Sequence, residues 1–163
     1  MADFAGFAPT VGWVAGATRG VRGLNQMAGS DFLENTGRLG GELYDTDKLR
    51  QLDKYLARRG VTLKVGDQFV PAGRAGAFSR DGSTLVLLSN PTKYEVWHEL
   101  GHYVQFRKLG REAYEGLPRS LDFNAPEQFV FDLLENSEKR WNSLNFDEQQ
   151  HATEYIERIG GFR

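Results

Sequence analysis

The feature that most constrains this chain is one stretch in its second half, Tyr94-Glu95-Val96-Trp97-His98-Glu99-Leu100-Gly101-His102. Thr92 and Glu95 form a capping-box pattern at its start, Pro91 stands just before, and Gly110 closes the run. A Thr followed three residues later by a Glu satisfies the orphan amide groups of a helix start, so the stretch is predicted to be helical. Residues four apart on a helix lie one above the other. His98 and His102 can therefore offer two imidazole nitrogens to one zinc ion. Glu99 falls about 100° round the axis, beside the metal rather than on it, where a general base for a metal-activated water belongs. The flanking Val96, Trp97, Leu100 and Val104 predict that one side of the helix is buried. The plainer alternative is a pair of structural histidines held by hydrogen bonds.

Composition limits what else the chain can do. Its 163 residues suit one domain. With no Cys, a disulfide scaffold, a thiolate zinc finger, an iron–sulfur site and a Cys nucleophile are excluded. Twenty basic residues against 22 acidic ones leave a net charge of −2, which predicts no general attraction to nucleic acid or anionic lipid. Arg19, Arg22, Arg38, Arg58, Arg59 and Arg74 are scattered and read as solvated charges, and no phosphate-binding glycine loop occurs. The small, apolar N-terminus has neither the length of a membrane span nor the flanks of a secretory signal, so no stable membrane anchor is expected.

A catalytic zinc needs a third protein ligand and an open position. Without Cys, that ligand must be His151, an Asp or a Glu. Glu127 is the first choice, because it opens the next strong helical pattern, Asn124-Ala125-Pro126-Glu127-Gln128-Phe129-Val130-Phe131-Asp132. It also sits third behind Asn124 in a capping-box pattern, which explains it without a metal. Glu135 is a weaker candidate. Asp132 is read either as a residue orienting a ligating histidine or as a helix-surface charge. His151 is read as a ligand, an oxyanion donor or a structural residue. Tyr103, Tyr114 and Tyr155 are possible oxyanion donors or core residues.

Nine glycines precede residue 45, so residues 1–40 are predicted to be a linker or loosely held arm, and residues 41–163 the folded domain. Within that domain, Asp45 and Thr46 start a short amphipathic helix that ends at Gly60. Short strands are expected at 61–65, 68–70, 75–78 and 84–89, with a hairpin at Asp81-Gly82. Three helices follow, starting at Thr92, Asn124 and Asn145, the last stopped by Gly160-Gly161. Ala152, Tyr155 and Ile159 are its expected core stripe. The fold class is thus α+β, with a small antiparallel sheet packed against the metal helix and further C-terminal helices. The strand at 84–89 is expected to lie close to that helix, where its edge could pair with an extended peptide.

The chain resembles the zincin metallopeptidases through His98-Glu99-Leu100-Gly101-His102. More narrowly, Tyr94 to Phe106, the Ala125 to Asp132 segment and the ending His151-Ala152-Thr153-Glu154-Tyr155-Ile156 resemble the zincin-like metallopeptidase toxin domains of bacterial polymorphic toxins. The resemblance covers the C-terminal part of the chain. It implies a zinc peptidase effector, secreted or delivered into a target cell, that cleaves a protein or peptide substrate there and is neutralised in the producer by a cognate immunity protein. By position it implies His98, His102 and Glu127 as zinc ligands and Glu99 as general base. Many zincins of this type carry an Asp four residues after the ligand Glu; here that position is Phe131. A regulatory intracellular zincin protease and a non-catalytic zinc-binding interaction module are the competing readings.

Overall fold

The computed structural model describes residues 36–120 and 122–159. The expected arm up to residue 35 and the Gly160-Gly161 stop lie outside the described residues. Helix α1, Thr46–Ala57, starts where Asp45 accepts a hydrogen bond from the Lys48 amide at 2.9 Å. Three short strands follow: β1 (Thr62–Val65), β2 (Gly76–Phe78) and β3 (Thr84–Leu87). The helices after them are α2 (Lys93–Leu109), α3 (Arg111–Glu115), α4 (Ala125–Glu135), α5 (Glu138–Ser143) and α6 (Phe146–Arg158). The α+β class therefore holds, with six helices among the described residues.

The sheet is mixed, where the sequence predicts antiparallel pairing throughout. Its order is β1-β3-β2: β1 runs parallel to β3, and β2 runs antiparallel to it. Gly82, at φ +75°, supports the expected turn between β2 and β3. The link after β1 produces the parallel pair. It crosses the C-terminal end of β3, where the Gly66 amide donates to Leu87, the Leu88 amide to Ala75 and the Ser89 amide to the Asp67 carboxylate. Inside that link, Asp67–Phe69 forms a 3₁₀ turn rather than the expected strand. As a result β3 is central and paired on both sides. The edge strand beside the metal helix is β2, not the expected 84–89 strand.

Helix α2 lies between two hydrophobic clusters. Val96 and Tyr103 join Leu56, Phe78, Leu85, Leu87 and Tyr114, while Tyr94 joins Phe131, Leu134, Tyr155, Ile156 and Ile159. The expected stripe of α6 is buried. Among the described residues, no helix is long and apolar enough to cross a membrane.

Residues 36–40, which composition assigns to the arm, pack on the domain. Arg38 makes a bidentate pair with Glu95 at 2.5 and 2.6 Å. Leu39 packs against the second cluster, and its carbonyl accepts from Asn145 Nδ2 at 2.9 Å. Arg38 is thus a paired charge and not a solvated one.

Candidate metal centre

The capping box at the start of α2 is formed, with Thr92 and Glu95 exchanging hydrogen bonds of 3.2 Å. This fixes the first turn of the helix, and the next two turns carry His98, Glu99 and His102, all buried. The two imidazole rings lie 5.1 Å apart between centroids, both on the face that meets α4.

Glycine 101 explains how α4 comes so near. A Cβ on Gly101 would lie 2.9 Å from Cγ2 of Val130, so the bare helix surface lets α4 settle close to α2. Glu127 is one turn before Val130 on the same face of α4. Its carboxylate reaches both histidines, with Oε2 at 3.1 Å from His98 Nε2 and Oε1 at 3.4 Å from His102 Nε2. The Glu127 amide does donate to Asn124 Oδ1, at 3.3 Å, so the helix cap is real. The Glu127 side chain is a separate matter: it turns to the histidines. One residue serves both expectations, the amide as cap and the carboxylate as part of the buried cluster.

One ligand atom from each of His98, His102 and Glu127 lies within 4.8 Å of the others. Two imidazoles and a carboxylate, buried and converging, match the donor chemistry of a zinc site with three protein ligands. Burial pushes the Glu127 carboxyl up, but its electrostatic interactions and hydrogen bonds with His102 and His98 outweigh this and hold the group below the usual carboxylate range. An ionised carboxylate between two imidazoles is the state that a cation requires.

Glu99 is the opposite case. Its Oε2 is buried with no hydrogen-bond partner among the described residues. Burial, reinforced by the negative charge of Glu127, pushes its carboxyl up to about 8, against the pull of His98 and Arg74. A cation at the neighbouring cluster would lower it again.

The other candidates separate cleanly. Asp132 is exposed and accepts from Gln128 Nε2 at 2.7 Å, so it orients no ligand; Glu135 is also exposed. His151 lies outside the converging group, and its Nδ1 is 3.0 Å from the Tyr94 hydroxyl. Tyr155 stands between the two regions, its ring 6.1 Å from His98 and stacked parallel to His151 at 6.2 Å. Tyr103 packs edge-on to Phe78 and Tyr55 in the core. Tyr114 lines a small cavity with His102, Glu127, Arg80 and Arg119. Sequence reasoning missed Arg74, whose half-buried guanidinium interacts electrostatically with Tyr155, Glu127 and Glu99. Nothing in the local sequence distinguishes it from the other scattered arginines.

A protein-family model described as metallopeptidase toxin 4 matches residues 33–161. No curated protein and no solved structure matches the chain.

Proposed function

Because the chain belongs to the metallopeptidase toxin 4 family, we propose that it is a zinc-dependent peptidase delivered into a target cell, with His98, His102 and Glu127 holding the metal and Glu99 acting as general base. The observation that carries this reading is the convergence of the three buried ligand atoms within 4.8 Å, with Oε2 of Glu99 on α2 buried and left without a hydrogen-bond partner among the described residues.

A zinc ion held there supplies Lewis acidity, which makes a water acidic and polarises the scissile carbonyl. The protein's own groups do the rest. Glu127, His98 and His102 fix the position of the cation from two helices. Glu99 accepts the proton of the attacking water and passes it to the amide nitrogen as the C–N bond breaks. Its burial keeps that proton from exchanging freely with solvent, and burial also keeps its basicity high. The half-buried Arg74, which interacts electrostatically with Glu127 and Glu99, adds positive charge to the site.

The family points to a protein substrate and to a neutralising immunity protein in the producing cell. The test is zinc content and toxicity on expression in a bacterial host, for wild type, His98→Ala and Glu99→Ala. Wild type should carry zinc and be toxic. His98→Ala should lose both properties. Glu99→Ala should keep zinc and lose toxicity; full toxicity in that variant rules out the assigned base.

A further inference from the structure

Edge strand β2 begins with Gly76, and the backbone does not ask for a glycine there. Six described glycines adopt the left-handed φ range, at positions 40, 60, 66, 73, 82 and 110, and Gly76 is not among them. Any L residue could take its conformation. Glycine in a strand weakens the strand and signals a close approach by something else. The neighbour here is Glu99. A Cβ on Gly76 would lie 2.9 Å from Glu99 Cγ and 3.0 Å from Glu99 Oε1, and also 3.0 Å from the Val86 carbonyl oxygen. Contacts this short force a neighbour to move.

The Glu99 backbone is fixed in the middle of α2, so the movement has to come from its side chain or from β2. We propose that Gly76 is a positioning residue for Glu99: the side chain it lacks is the space in which the Glu99 carboxylate stands. This inference rests on the reading of Glu99 as general base, and it extends that reading from the helix that carries the base to the strand that shapes its pocket. The sheet contributes to the site through an omission. Ala77 and Phe78, the next residues of β2, fill the core, and only position 76 is left bare against the helix. A displacement of about 1 Å at a reacting group is enough to cost roughly 100-fold in rate, so the clearance matters far more to chemistry than to folding.

The experiment uses four full-length proteins: wild type, Gly76→Ala, Glu99→Ala and the double variant. Thermal unfolding is measured metal-free, and visible absorption is recorded after loading with cobalt(II). Overpacking of this kind lowers Tm by about 5 °C in a chain of this size. Gly76→Ala should show that fall when Glu99 is present and less than half of it in the Glu99→Ala background, since the carboxylate is the crowded group. The cobalt spectrum of Gly76→Ala should depart from wild type in the direction of Glu99→Ala, with the same metal content.

Equal falls in both backgrounds overturn the proposal and assign the clearance to the Val86 carbonyl; no fall in either overturns it by showing that the position needs no clearance. So does a cobalt spectrum identical to that of wild type. If Gly76→Ala folds only in the Glu99→Ala background, the contact is demonstrated; if it folds in neither, the proposal fails. A wild type that binds neither zinc nor cobalt defeats the metal reading, and the unfolding cycle then decides the Gly76 contact by itself.

Discussion

Glu95 and Glu99 stand one turn apart on the same helix, both buried, and their surroundings differ completely. Glu95 is saturated. Arg38 grips both of its oxygens, and one of them also accepts from the Thr92 amide. Glu99 has a buried oxygen with no hydrogen-bond partner among the described residues, and a carboxyl pushed up to about 8. A buried carboxylate with all its partners fixes structure, and removing it leaves a charge behind. One kept short of partners is costly to the fold and has its proton affinity raised. Burial alone therefore does not distinguish the two carboxylates; their partners do.

The same isosteric change at the two positions sharpens the contrast. Glu99→Gln should lower turnover by roughly 10²- to 10⁴-fold, the usual contribution of a general base, without lowering the melting temperature. Glu95→Gln should do the reverse. It leaves the Arg38 guanidinium without a counter-charge and should cost about 3 kcal/mol of stability, read as a lower denaturation midpoint, with activity per folded molecule retained.

Truncation tests the Glu95 side from the other partner. The described residues begin at 36, and Arg38 and Leu39 contact the domain. Deleting residues 1–35 should leave the melting temperature unchanged. Deleting 1–40 removes Arg38 and Leu39 and should destabilise the domain about as much as losing Glu95 does, roughly 3 kcal/mol. Equal stability of the two truncations would show that the Arg38–Glu95 pair contributes nothing net.

A smaller effect follows from pH. The Glu99 carboxyl is raised from 4.5 to about 8 in the fold. Between those values the folded chain holds a proton that the unfolded chain has released, so stability falls as pH rises through that window. Denaturation of the metal-free protein from pH 5 to about 8 should show this decline, and Glu99→Gln should flatten it. Saturating zinc should also flatten it, because a nearby cation favours the ionised form. The smallest effect is at Glu148, which accepts from the Asn145 amide at 3.0 Å and whose carboxyl is raised by burial to about 7. Its contribution has the same sign and is lost between 4.5 and about 7. Glu148→Gln should remove a part of the slope at the lower end of the range and leave zinc content untouched.

Much of this was legible in the chain because the signals are local. The boxes at Thr92/Glu95 and Asn145/Glu148 and the Asp45 cap all form where the spacing puts them. Helix period alone places His98 and His102 on one face. The strand expected at 68–70 failed because its apolar residues serve a 3₁₀ turn that carries the link across β3. The Arg38 pair is invisible in the local sequence because its partner is 57 residues away, beyond the reach of any local pattern.

Sequence by itself determined the helix, its cap and the spacing of two imidazoles and a carboxylate along it, since each follows from the period of hydrogen bonds between near neighbours. Tertiary structure alone decided which end of Glu127 does what, that Arg38 belongs to the domain, and that Gly76 faces Glu99. Those outcomes depend on how closely separate elements approach. That distance is set by the packing of whole surfaces, above all the bare patch at Gly101 that admits Val130, and no window of consecutive residues contains it.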